Sequence, residues 1–423
     1  ERRQTAVAQL ALTETKMNGS RNRFWIAALA ILVITLAGGA WWSGRTNPHL
    51  ESLVSYDPTT GPDDDEIRRG ELEAAGPDAV PFLREQLRRE PGLATQGLTW
   101  LNSSGVVAWI HDWVSESMAN SIWSRLGSQN MTRVQAARSL LLLGPAAAAA
   151  RPELTMRATG VGSPLSWTAT AALASLTPED PSAVSNYLAR LAGNNQSERF
   201  FLVRDFPLIW PKAPPHLHAL MERLQDADSG VRNGAVKSLA HYGAAAAGAV
   251  PRLQEMLIDS DRKGHSTAAY ALGIISSNHA DLAVAVMLEQ QRTNNAWTGD
   301  LAHQLYAALG PAARRAEPAL RRELSRSATN GFSGPPAFAL WRVTGEASPE
   351  IIAGLMRGCT QGVQRFQVMS LKGLREIGPP ASNAVPALRQ LRSSPHWTIQ
   401  RLAEDALNRI HSNETRISRT PTD

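Results

Sequence analysis

Several residues in this chain are of types that do chemistry, and their spacing decides whether they could act together. His216 and His218 lie two apart. On a helix such residues point to different sides, so they make a poor pair of metal ligands. His241, His265, His279 and His303 fall far from one another along the chain and read as isolated surface or core histidines. The run Asp63, Asp64, Asp65, Glu66 has the carboxylates of a calcium loop. It lacks the alternating oxygen ligands and the turn glycine, and reads instead as helix-capping charge. Gly160-Val161-Gly162 lacks the third glycine and the preceding strand of a dinucleotide loop. Cys359 is the only cysteine. That excludes an intramolecular disulfide, a thiolate zinc site and an iron–sulfur cluster. A single cysteine in a helical setting reads as a small apolar residue rather than a nucleophile. No serine sits in a nucleophile elbow, and no phosphate-loop lysine is present. The sequence therefore assigns no catalytic residue, no metal ligand and no cofactor.

The charges point to binding rather than catalysis. The chain has 423 residues, with 43 Lys and Arg against 38 Asp and Glu. Residues 1–44 carry a net +3, residues 45–300 a net −5, and residues 301–423 a net +7 from 16 basic and 9 acidic side chains. In that basic third, Arg321, Arg322, Arg357, Arg389 and Arg392 come shortly after recurring leucines. They are the candidate partner-binding residues, forming a basic ridge toward an acidic protein or anionic lipid head groups. The alternative is a set of solvated arginines paired with Glu323 and other neighbours. A near-neutral body argues against duplex DNA, whose binders are usually basic along a whole face.

No charge occurs between Arg23 and Arg45, and the run Phe24–Trp42 is apolar with aromatics at both ends. At 1.5 Å per residue it spans roughly 28 Å, enough to cross a bilayer core. Arg21 and Arg23 on its N-terminal side predict a cytoplasmic tail and an exported body, single-pass in the inner membrane. A cleaved signal ending after Ala40, giving a secreted or periplasmic chain, is the rival reading, and a buried core helix is a third. The division that follows is a basic tail at 1–23, an anchor or signal segment at 24–44 and a linker at 45–65. A repeat array occupies 66–411, and a disordered tail 412–423. Met17 is a candidate start for the native chain.

The array rests on a fixed period. Gly144, Thr177, Trp210, Gly243 and Ser276 follow one another at steps of 33, and each closes an Ala- and Leu-rich stretch. Gly310, Gly345, Gly378 and His411 continue the series at 34, 35, 33 and 33. Gly76 and His111 extend it backward. Eight and four residues before the mark stand a small and a large apolar residue, as in Ala136/Leu140, Ala235/Leu239, Ala268/Leu272 and Ala337/Trp341. Positions four apart share a helix face. Eight residues after it comes proline (Pro152, Pro251, Pro318, Pro386), which suits the first turn of a second helix. Two further on comes leucine: Leu154, Leu220, Leu253, Leu320, Leu355 and Leu388. The pattern predicts helix, short loop, helix, repeated, with one continuous core. Recurrent Gly and Pro breaks exclude a long coiled coil. The stretch 90–130, with Trp100, Trp109, Trp113 and Trp123, departs from the pattern.

The segments GPAARRAEPAL at 310–320 and GPPASNAVPAL at 378–388 resemble HEAT repeats, in particular the short bacterial type called PBS-lyase-like HEAT repeats. The resemblance covers about 66–411. It implies an all-α, α-α superhelix of the HEAT/armadillo type, with second helices lining the concave side. In function it implies a non-catalytic, membrane-anchored scaffold for protein–protein interaction. A bilin-lyase-like enzyme or enzyme subunit is the alternative, although no bilin-specific motif is present. Helical-repeat DNA glycosylases are a further class with such arrays, and an exported body argues against them and against nucleic acid.

Overall fold

The computed structural model describes residues 48–54, 65–89, 131–159, 162–258, 264–293, 296–327 and 331–411. Residues 47–88 and 131–423 belong to one compact unit. The apolar run 24–42, the Trp-rich stretch 90–130 and the tail 412–423 lie outside the described residues. Among the described residues no helix is long and apolar enough to cross a membrane.

The described residues are all-α, with no strand among them. After a short α1 (Pro48–Ser52), first and second helices alternate. The first three pairs are α2 (Asp65–Ala75) with α3 (Ala79–Arg88), α4 (131–143) with α5 (Arg151–Ala158), and α6 (Pro164–Leu176) with α7 (Pro181–Leu191). Next come α8 (Gln196–Ile209) with α9 (His218–Glu222), α10 (Ser229–His241) with α11 (Val250–Ile258), and α12 (His265–Ile275) with α13 (Ala280–Thr293). The row ends with α14 (Ala296–Leu309) and α15 (Glu317–Arg326), α16 (Gly334–Thr344) and α17 (Pro349–Gln361), α18 (Gln364–Ile377) and α19 (Val385–Leu391), then α20 (Trp397–His411).

The period sets which residues are buried. Ala136, Leu140, Ala235, Leu239, Ala268, Leu272 and Ala337 are fully buried on the first helices, whereas Trp341 is half-buried. The leucines of the second helices, Leu154, Leu220, Leu253, Leu320, Leu355 and Leu388, are fully buried as well. Each such leucine contributes about 1.5–3 kcal/mol of apolar transfer. The first helices stop in two ways. Gly144, Gly243 and Gly310 take φ of 54°, 52° and 55°, which a β-carbon would oppose. Thr177, Trp210 and Ser276 leave the helix at negative φ instead, −142°, −120° and −137°.

In place of the expected short loop after the glycine, the chain forms a 3₁₀ helix: Gly144–Ala150, Gly243–Ala249, Gly310–Ala316 and Pro379–Ala384. Each bends at an alanine three residues past the glycine. Ala147, Ala246, Ala313 and Ala381 have φ between −93° and −87° and are fully buried. The 3₁₀ turns satisfy helix-end carbonyls locally, and a fully buried methyl sits at each bend.

The first helices pack on one another along the row, while second helices stand behind them and touch their successors sparingly. Among the described residues, three ion pairs skip a helix. Arg138 on α4 reaches Asp205 on α8, Arg365 on α18 reaches Asp300 on α14, and Lys372 on α18 reaches Glu66 on α2. Side chains can bridge alternate helices only on the inner side of a curved row. First helices therefore line the inner side, which corrects the expectation that second helices do. Small residues explain it. At Gly234 a β-carbon would lie 2.7 Å from Val203 of the preceding first helix, and at Gly273 2.7 Å from Leu305 of the following one. First helices thus approach one another closely along the whole row, and the row bends toward them. The row also closes, because α2 packs against α20 as well as against the α4–α5 pair.

Candidate interaction surfaces

On the inner side the main polar assembly is a charge network spread over α2, α4 and α8. Arg138 donates from Nε and Nη2 to the two carboxylate oxygens of Asp65, at 3.1 and 3.0 Å. Its Nη1 donates to Asp205 Oδ1 at 3.0 Å, and Arg204 Nε donates to the same oxygen at 3.0 Å. Asp205 is 1% exposed, and its Oδ2 is buried with no hydrogen-bond partner. Burial opposes the charge of Arg138, but Asp205 and Asp65 outweigh it and hold the guanidinium above its ordinary pKa. Burial holds the Asp65 carboxyl above its ordinary value in spite of Arg138. Sequence reading missed this network. Its one signal was that Arg138 and Arg204 stand two periods apart at an inner position that holds alanine at Ala171.

The other titratable candidates are dispersed. His216 packs edge-on against Trp210, with centroids 4.4 Å apart, and burial, then His218, pushes its pKa down. His241 faces the Pro211 carbonyl, and His279 sits between Ser276 and Gln254. His303 Nε2 lies 3.1 Å from Glu323 Oε2 without hydrogen-bond geometry. No group of three metal-ligating side chains occurs among the described residues. Cys359 is buried, and burial raises its thiol far above the ordinary range. Asp65 and Glu66 open α2, as a helix-start reading requires, and also serve in the ion pairs to Arg138 and Lys372. Gly162 takes φ 74° just before α6.

The five arginines singled out by sequence lie on second helices or at their ends, behind the inner row. Arg321 is ringed by Glu317, Glu346 and Glu350 at 2.9 to 3.6 Å. Arg392 pairs with Glu404 at 3.5 Å. Arg322 donates to the Pro318 carbonyl at 3.2 Å, and its side chain is exposed. Arg357 is half-buried, and Arg389 is exposed. The exposed positive charge of the set therefore rests on Arg322 and Arg389.

Two clefts border the first helices. One of about 650 Å³ lies at the C-terminal ends of α16, α18 and α20, lined by Trp341, Arg375, Glu376, Asp405, Asn408 and Arg409. A smaller one of about 340 Å³ is lined by Gln196, Ser197, Phe200, Phe201, Asp228 and Gly230. The first mixes both signs of charge with an indole face. The second places Phe200 beside the amide–carboxylate bond of Gln196 to Asp228, at 2.6 Å.

Fold and surfaces together define an all-α array of packed helix pairs whose regular residues are spent on packing. No protein-family model matches the chain, and no curated protein matches it significantly. Among solved structures it is similar to an engineered protein determined by a structural genomics consortium. The two share 18% identity, the match covers 86% of this chain and 99% of the other, and the TM-score is 0.31. That likeness assigns no activity.

Proposed function

We propose that this chain is a membrane-tethered interaction scaffold of the HEAT-repeat type, related to the PBS-lyase-like HEAT repeats, that binds protein partners and performs no catalysis of its own. Residues 24–42 supply the tether and an exported body the binding surface. The observation that supports the reading most is the separation of roles along the array. Gly, Ala and Leu recur at buried or helix-ending positions and Pro at the first turn of second helices, whereas outward positions of the second helices carry changing charges. A surface of that kind suits docking, in which rim charges set encounter rate and salt response. Arg322 and Arg389 are the residues proposed to meet an acidic partner.

The test recovers partners from native membranes with the parent chain and with an Arg322→Glu, Arg389→Glu variant. Stability should be nearly unchanged, and recovery should fall in a salt-dependent way. Equal recovery with equal salt response removes the arginines from the proposal. A reporter active only outside the cytoplasm, fused after Asp423, tests the topology; an inactive fusion overturns the exported body.

A further inference from the structure

Residues 48–54 and 65–88 join the rest of the row on two sides, and the two sides differ in chemistry. Toward α4 and α5 the join is apolar and deep. Leu53, Leu72, Ala75, Ala79, Leu83 and Leu87 share one buried cluster with Ala136, Leu140 and Leu154. Polar ties reinforce it. Arg84 and Arg88 both bind the buried Glu153, Arg157 donates to the Leu87 carbonyl at 2.6 Å, and Ser139 Oγ donates to the Leu53 carbonyl at 3.0 Å.

Toward α20 the join is mostly polar. Among the described residues of this N-terminal part, Ile67 alone belongs to the buried cluster that holds Ile399 and Leu402. The remaining ties are hydrogen bonds and exposed ion pairs. The Trp397 N–H donates to Glu71 Oε1 at 3.0 Å, and Thr398 Oγ1 donates to the Ile67 carbonyl at 3.2 Å. Arg401 pairs with Glu73 at 3.2 Å, and Lys372 with Glu66, all four side chains being at least one-third exposed. Glu71 holds the centre: it is buried, and its second oxygen faces His49 Nδ1 at 2.8 Å. Gly70 lets the backbones meet, since a β-carbon there would overlap Thr398 Oγ1 and lie 3.2 Å from Thr398 Cβ.

We propose that the α2–α20 junction is a releasable seam. The N-terminal module stays with α4 and α5, and the closed row opens between α2 and α20, with Glu71 as the latch. Apolar burial resists separation at every salt concentration, whereas exposed ion pairs weaken as salt rises. The seam stands on its own geometry and does not rest on the scaffold reading.

The experiment uses the full chain, with Cys359→Ala and paired spin labels at Asp78→Cys and Asn408→Cys. Inter-label distances should show a short and a long population. The long one should grow between 50 mM and 500 mM salt, and roughly twofold to fivefold with Arg401→Glu, whose exposed site carries no core cost. Glu71→Ala should enlarge it further. A second variant, Gly70→Cys with Thr398→Cys, tests closure, because a Cβ–Cβ separation of 3.2 Å lies just under the disulfide range of about 3.5–4.5 Å. It should cross-link on oxidation in low salt and more slowly in high salt. A single short distance, unmoved by salt and by Arg401→Glu, overturns the seam. Failure of the cysteine pair to cross-link in low salt, in a protein of normal helicity, overturns closure itself.

Discussion

Replacing Arg138 by Met is the sharpest probe of the inner charge network. The side chain is 9% exposed and makes three hydrogen bonds of 3.0 to 3.1 Å to two carboxylates on two other helices. Breaking a buried pair on one side costs about 3–5 kcal/mol, because the partner charge stays behind. Here the two partners are left unequally. Asp205 keeps its bond from Arg204, and Asp65 is 20% exposed and can be hydrated. The loss should therefore lie near the low end, about 3 kcal/mol. Asp205→Ala should cost more than Asp65→Ala, since it takes a partner from two guanidiniums rather than one and its site is the more buried. Adding Asp205→Leu to Arg138→Met should recover part of the loss, as replacing whole buried pairs by apolar groups often does. Urea unfolding followed by far-ultraviolet dichroism gives the ranking, and amide exchange on α4 and α8 localises it, because repeat arrays need not unfold as one unit. An Arg138→Met loss below about 1 kcal/mol, with no order between the aspartates, would show that the network carries no stability.

Leu239, Leu272, Leu320 and Leu388 are all fully buried, so Leu→Ala at each should cost about 2–5 kcal/mol. Values near zero at several of them would contradict the repeat phase, and urea midpoints decide. Acid should destabilise the array through Glu153 and Asp226. Burial pushes both carboxyls up, but hydrogen bonds from Arg84 and Arg88 to Glu153, and from Arg199 to Asp226, outweigh it and hold them below their ordinary 4.5 and 3.8. The folded pKa is the lower one, so this stability is full above the ordinary values and is lost as pH falls through the folded values. Unfolding midpoints between pH 7 and pH 3 should drop less for Glu153→Gln with Asp226→Asn than for the parent; parallel curves would rule the two carboxylates out as the cause.

The sequence by itself determined the helix pairs, their phase and their core. Gly, Pro, Ala and Leu act locally, through backbone freedom, a missing donor and helix-face periodicity, and local effects can be read along one chain. Thus the six second-helix leucines and the stops at Gly144, Gly243 and Gly310 were legible. Tertiary structure alone decided which layer faces inward, how Arg138 reaches Asp65 and Asp205, and that α2 meets α20. Those outcomes depend on small differences in helix spacing, such as Gly234 against Val203, summed over many repeats. They also depend on pairs separated by 73 residues in Arg138–Asp65 and by 326 in Trp397–Glu71. The same distance explains the arginines. Sequence placed Arg321 correctly on its helix, but the carboxylates of Glu346 and Glu350 that neutralise it come from the next repeat. No local pattern carries that curvature, because it is a property of the accumulated packing rather than of any single helix pair.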